Sequence, residues 1–320
     1  MVYLELVAGF LLLVAGGDSL VRGAVAIARR IGVSPLLIGL TLVGFGTSTP
    51  ELLTSVQAAL AGSPGIAFGN VVGSNTANIL LILGIAALIS PLRTSPHAFR
   101  RDGTVVLLSA LACVGVVLFG RLDRPIGVVL VVLLIAYIVY TYRRERVVHD
   151  ASAAMHEAEA SAAEPAPTRL WVATLFTLGG MALTVLGARF LVDGAIELAR
   201  AAGISETIVG LTIVAVGTSL PELVTSVMAA VRRQSDVAFG NIVGSNIYNV
   251  LGILGVTAIV RPIPVPPEIA RLDIWVMLAA TVLLLVFSVT GWRVTRTEGG
   301  VLLAAYIAYV GYLVSLVAAP

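Results

Sequence analysis

The sequence predicts an all-α integral membrane protein of ten transmembrane helices, arranged as two inverted five-helix repeats with broken helices at the repeat motifs. Three observations predict it. The 320-residue chain is 58% hydrophobic and only 12% charged, with a mean hydropathy of +1.01, outside the range of an ordinary soluble domain. Apolar runs able to cross a bilayer, at about 20 residues per crossing, recur along its length. Finally, Gly46-Thr47-Ser48-Thr49-Pro50-Glu51 returns as Gly217-Thr218-Ser219-Leu220-Pro221-Glu222.

The expected spans are 3–28, 35–61, 66–90, 103–120 and 125–142 in the first half, and 170–199, 206–231, 237–260, 272–291 and 299–318 in the second. The first span has no basic segment ahead of it and no small-residue cleavage site, so it reads as a retained helix and not as a signal peptide. It carries Asp18 and Arg22 four apart, and the sixth span carries Arg189 and Asp193 at the equivalent positions with the signs exchanged. Such spacing predicts helical ion pairs with a structural role.

The second span contains the repeated motif. Proline has no N–H for the carbonyl four residues earlier, and its ring clashes there, so a helix break is expected near Gly46, eased by Gly44 and Gly46. Unpaired backbone at this depth survives only when buried in protein or lining a watery cavity. Thr47 and Glu51 stand four apart and could share one helical face. The third span adds Ser74 and Asn78, also four apart, behind Gly69 and Gly73, which permit close packing. The same offset that relates Glu51 to Glu222 maps Gly69-Asn70-Val71-Val72-Gly73-Ser74-Asn75 onto Gly240-Asn241-Ile242-Val243-Gly244-Ser245-Asn246, and Asn78 onto Asn249. The duplicated regions run over about 32–84 and 203–255.

Residues 1–142 thus form the first repeat and 169–320 the second. The intervening 143–168 opens with Arg143-Arg144-Glu145-Arg146 and continues as an Ala/Glu/Ser-rich stretch without apolar periodicity, expected as a linker. Five spans per repeat is an odd number, so the second repeat must enter the membrane from the opposite face, as in many secondary transporters with a site at the repeat interface. Loop charge is lopsided. The side reached after the first helix collects Arg29, Arg30, Arg143, Arg144, Arg146, Arg232 and Arg233 among others, and the opposite side only Arg121, Arg124, Arg200, Arg261 and Arg271. Positive charge marks the cytoplasmic face, so both termini are expected outside and 143–168 in the cytoplasm of a plasma (inner) membrane protein. Scattered among short loops, these arginines do not form a nucleic-acid patch.

Cys113 is the single cysteine, and His97, His149 and His156 lie in loops without zinc-ligand spacing. The chain has no lysine and no phosphate-binding loop, which points to ion gradients and not ATP as the driving force. What remains is one glutamate per repeat inside an apolar stretch, where an ionised group is expensive and usually marks an ion path. Glu51 and Glu222, with nearby hydroxyls, amides and freed carbonyls, make a hard oxygen set suited to Ca²⁺ and not to soft metals. A carboxylate dyad of an intramembrane hydrolase and a passive channel are the rival readings; no protease motif accompanies the glutamates, and inverted symmetry suits alternating access, so no enzyme is expected.

At these residues the chain resembles the cation/calcium exchanger superfamily, whose signature is a pair of inverted repeats carrying a Gly-Thr-Ser-x-Pro-Glu core and a Gly-Ser-Asn element. It is most similar to the compact prokaryotic sodium/calcium exchangers. The resemblance implies that Glu51 and Glu222 are the central ligands shared by Ca²⁺ and Na⁺ and that Thr47 and Thr218 coordinate Ca²⁺ through backbone carbonyls. It further implies that Ser48, Ser219, Ser74 and Ser245, with carbonyls near Gly44 and Ala215, complete flanking Na⁺ sites, and that Asn78 and Asn249 line the middle. Position 249 departs from a family pattern in which aspartate can stand there; asparagine neither titrates nor adds charge. The family also implies that the first and sixth helices slide across the other eight. The resulting expectation is Ca²⁺/Na⁺ antiport, with H⁺ as the alternative counter-ion, no covalently bound cofactor, inorganic cations and the lipid bilayer as partners, and no obligatory protein partner.

Overall fold

A computed structural model of the chain describes residues 2–32, 45–94, 96–148 and 169–318. In chain order its helices are α1 (Val2–Arg30), α2 (Thr49–Ala61), α3 (Pro64–Ile89), α4 (Pro96–Phe119) and α5 (Arg124–Val148). They continue as α6 (Leu170–Ala202), α7 (Glu206–Thr218), α8 (Leu220–Val231), α9 (Ser235–Val260), α10 (Ile269–Val289) and α11 (Arg296–Ala318). Among the described residues, eight helices are long and apolar enough to cross a bilayer, and the pair α7 and α8, bent by 49°, is long and apolar enough for a ninth crossing when taken as one span. Of the second expected span, 35–61, the part before residue 45 lies outside the described residues, as does 149–168 of the expected linker. The start of that linker is helical: α5 runs on to Val148. Arginine and glutamate are good helix formers, and Arg144 donates to the Tyr140 hydroxyl one turn back at 2.9 Å.

α3 and α9 form the interior. In each, 78% of the most apolar stretch is buried, against 22% for α5 and α6, whose exposed leucines and valines face outward as a lipid-facing surface would. Both inner helices widen to a π-helical turn at the same place, Asn78–Leu83 and Asn249–Leu254. Such bulges are common at functional sites.

α1 and α6 pack antiparallel at backbone distance. Gly9, Gly16 and Gly23 recur at heptad spacing on α1, and Gly180, Gly187 and Gly194 do so on α6. A Cβ on Gly9 would meet Leu191 N at 2.7 Å, one on Gly16 would meet Thr184 N at 2.6 Å, and one on Gly187 would meet Leu13 N at 2.7 Å. Only glycine lets two helices approach this closely. The expected ion pairs form on these two helices, Arg22 Nε to Asp18 Oδ2 at 2.9 Å and Arg189 Nε to Asp193 Oδ2 at 3.7 Å.

Two short antiparallel strand pairs join the halves. β1 (Leu92–Arg93) pairs with β4 (Arg293–Val294), with Leu92 opposite Val294, and β2 (Arg121–Leu122) pairs with β3 (Ile263–Pro264), with Leu122 opposite Ile263.

Candidate cation site

In the first copy the break spans residues 45–48, with Gly46 inside it; in the second it falls at Ser219, after Gly217. Ser48 (φ −88°, ψ 10°) precedes α2 and Ser219 (φ −83°, ψ 10°) precedes α8, and in each case proline follows within the first turn. Proline is well tolerated there, because the N–H it lacks has no intrahelical partner anyway. Gly217 and Thr218 are still helical. The glycine serves another purpose, since a Cβ on Gly217 would run into the ring of Phe10 on α1. Thr47 accordingly lies in the turn ahead of α2, and Thr218 on the far side of the bend from Glu222, so neither threonine shares a continuous helix with its glutamate.

Glu51 and Glu222 occupy the first turns of α2 and α8, each only 1% exposed. The N-terminal end of a helix carries partial positive charge and favours a carboxylate. The two acids come from opposite halves of the chain. Each is held by the other half's serine. Ser48 donates to Glu222 Oε1 at 2.7 Å, and Ser219 donates to Glu51 Oε1 at 2.9 Å. The second oxygen of each, Glu51 Oε2 and Glu222 Oε2, is buried with no hydrogen-bond partner among the described residues.

The flanking residues converge on the same place. Ser48 Oγ, whose proton goes to Glu222, lies 3.3 Å from the Ser245 hydroxyl, from which it can accept, and Ser74 donates to Ala215 O at 3.4 Å, a carbonyl that Thr218 Oγ1 approaches at 3.3 Å. Asn249 Nδ2 donates to Asn75 Oδ1 at 3.3 Å, while Thr47 Oγ1, Asn249 Oδ1 and both polar atoms of the Asn78 side chain are buried without hydrogen-bond partners among the described residues. Eleven of the expected site residues are among the described residues; Gly44 lies outside them. Buried polar atoms are ordinarily satisfied, so the bare second oxygens of two carboxylates tied together through the other half's serines suit a dehydrated hard cation. Over one flank the Phe45 ring stacks on Tyr248 of α9, centroids 4.4 Å apart and planes within 11°.

Two residues not expected in the site brace it. Asn70 donates to Glu51 O at 3.1 Å and to Ser55 Oγ at 2.9 Å, and accepts from Thr218 Oγ1 at 2.9 Å. Asn241 donates to Glu222 O at 3.4 Å and to Ser226 Oγ at 3.0 Å. Their recurrence inside both Gly-Asn-x-x-Gly-Ser-Asn elements was the available signal.

A helical membrane protein whose two halves each deliver a buried carboxylate, cross-linked by the other half's serine, carries a candidate intramembrane cation site. The chain belongs to the sodium/calcium exchanger family: the model of the sodium/calcium exchanger protein family matches residues 1–143 and 172–315. It is 37% identical over 343 residues to sodium/calcium exchanger MaX1 of Methanosarcina acetivorans, covering 96% of this chain and 97% of that protein. It is 36% identical over 303 residues to inner membrane protein YrbG of Escherichia coli, covering 93% and 92%. Among solved structures it is similar to the sodium-calcium exchanger NCX_Mj, with a TM-score of 0.65 at 32% identity over 97% of each chain.

Proposed function

We propose that this protein exchanges Ca²⁺ for Na⁺ across the plasma (inner) membrane by alternating access, using ten helices in two inverted repeats, 1–142 and 169–320. The antiparallel packing of α1 on α6 supports the inversion, and the arginine-rich loops support termini outside with 143–168 in the cytoplasm. The observation that carries the reading is the reciprocal pair of Ser48–Glu222 and Ser219–Glu51 bonds, which leaves one bare oxygen on each acid. Those oxygens bind Ca²⁺ together, with the Thr47 and Thr218 carbonyls beside them. Ser48, Ser74, Ser219 and Ser245, with the carbonyls of Gly44 and Ala215, hold Na⁺ at the flanks, and Asn78 and Asn249 line the middle.

Charge makes the exchange obligatory. Two carboxylates neutralise one Ca²⁺, and monovalent ions neutralise them in its place, whereas an empty doubly negative site is costly to carry through a low dielectric. Three Na⁺ against one Ca²⁺ makes the cycle electrogenic. Proton exchange on the same scaffold is the second reading, favoured by the same bare Oε2 atoms, since protonation also satisfies a buried carboxylate; two protons make the cycle electroneutral. The test is ⁴⁵Ca²⁺ flux in proteoliposomes with Na⁺, K⁺ and pH gradients imposed separately. Uptake driven by outward Na⁺ and insensitive to a pH gradient is expected. Uptake that follows pH and ignores Na⁺ transfers the assignment to H⁺, and flux without any counter-ion rejects antiport.

A further inference from the structure

The reciprocity at the centre of the site does not extend to its flanks. On α3, Asn70 accepts from Thr218 Oγ1 at 2.9 Å and Asn75 accepts from Asn249 Nδ2 at 3.3 Å, so both donors belong to the second half of the chain. The symmetry-related contacts, Thr47 to Asn241 and Asn78 to Asn246, are not made. Thr47 Oγ1 and both polar atoms of Asn78 are buried without partners among the described residues, and Asn246 turns its amide back on Ile242 O at 2.7 Å. A Cβ on Gly73 of α3 would meet Leu211 O at 2.6 Å and Ala215 Cβ at 2.7 Å. Asn70 is fully enclosed and Asn241 is 7% exposed.

Each asparagine also grips the carboxylate helix of its own half, through the backbone carbonyl of the glutamate and a serine one turn on. The grip on Glu51 O is 3.1 Å and the grip on Glu222 O is 3.4 Å, so the side with the cross-half bond is also the tighter one. We propose that Asn70 and Asn241 are positioning residues for the cation site: each fixes the first turn of its glutamate helix and each is a catch for the other half's threonine, with one catch engaged at a time. In this structure the Asn70 catch is engaged and the Asn241 catch is free. In the opposite arrangement Thr47 donates to Asn241 and Asn78 to Asn246, while Thr218 and Asn249 release Asn70 and Asn75. The two arrangements then hold equal numbers of hydrogen bonds, neither is a deep trap, and bound ions decide between them. This role rests on the exchange reading above.

The test uses near-isosteric variants that remove one donor each. Thr218→Val abolishes the engaged catch and Thr47→Val the free one, and half-saturating Ca²⁺ is measured from each side of oriented proteoliposomes, with rates normalised to folded protein. Loss of one buried hydrogen bond in one state alone shifts the population about fivefold to tenfold. The two variants are therefore expected to move the two sides' half-saturation by about that factor in opposite senses. Asn70→Asp keeps the acceptor and removes both donors to the Glu51 helix, and is expected to weaken Ca²⁺ from both sides without a sided shift. Equal effects of both valine variants on both sides, or unchanged half-saturation with only the maximal rate reduced, overturn the catch. A parent protein that moves no Ca²⁺ with any counter-ion overturns the exchange reading itself and the transport role of the catch with it.

Discussion

Glu51 and Glu222 are each satisfied on one oxygen by a serine from the other half, so charge and hydrogen bonding are separable by mutation. Glu51→Gln or Glu222→Gln preserves shape and removes a charge that nothing else replaces; Ca²⁺ flux is expected to fall at least about a hundredfold, since charged interactions of this kind are worth about 1.5–3 kcal/mol each and the ion loses several together. Ser219→Ala orphans Glu51 Oε1 in a buried setting, at a cost of about 1–3 kcal/mol, and is expected to raise half-saturating Ca²⁺ at least about fivefold while leaving Ser48–Glu222 in place. Isotope flux and equilibrium binding on the same preparations check both. At this scale the glutamates and serines were legible in the sequence, because an acid beside proline in an apolar run has few uses. Who bonds to whom was not. Four apart along the sequence suggested Thr47 beside Glu51, yet the chain turns between them, and the partner of each acid comes from across the molecule.

Among the elements, α1 and α6 show how little of a helix contact is carried by its apolar side chains. Their glycines recur at heptad spacing, and a Cβ at Gly16 would fall 2.6 Å from Thr184 N, so Gly16→Val forces the helices apart. Overpacking of this kind costs about 1–3 kcal/mol, and thermal unfolding in detergent is expected to show a clearly lowered midpoint, with Gly179→Ala as the neutral control because nothing lies within 4 Å of a Cβ there. A Gly16 variant as stable as the parent would show that the contact is dispensable. Among the described residues the spans were readable from hydropathy to within several residues, since twenty apolar positions leave little choice of structure. The break was readable in kind and, in the first copy, in place: residues 45–48, Gly46 among them, form the turn, and proline opens the helix after Ser48. In the second copy the helix runs through Gly217, where a Cβ would meet Phe10, and bends at Ser219.

Across the whole molecule, duplication made the architecture visible in one dimension, because one constant offset relates both acids, both serine pairs and both asparagine elements. The departure from symmetry could not be read there. Two nearly identical motifs carry no instruction about which cross-half contacts form, and the α3 and α9 sides differ in three dimensions, where Asn70 accepts from Thr218 and is fully enclosed while Asn241 is 7% exposed. A polar pair whose partner depends on the state of the molecule has no fixed signature in sequence.

The two miniature strand ladders bear on assembly. β1 with β4 and β2 with β3 stitch each half to the other, and Ser48, Ser219 and Asn70 cross the same divide. The peptide bonds between residues 148 and 169 are therefore not what keeps the protein in one piece. Two polypeptides, one ending after residue 148 and one starting at 169 behind a new initiator methionine, are expected to co-purify as a one-to-one heterodimer when produced in the same cell and to regain Ca²⁺ flux. Recovery of either fragment alone and folded would mean that covalent continuity had been doing the work of recognition.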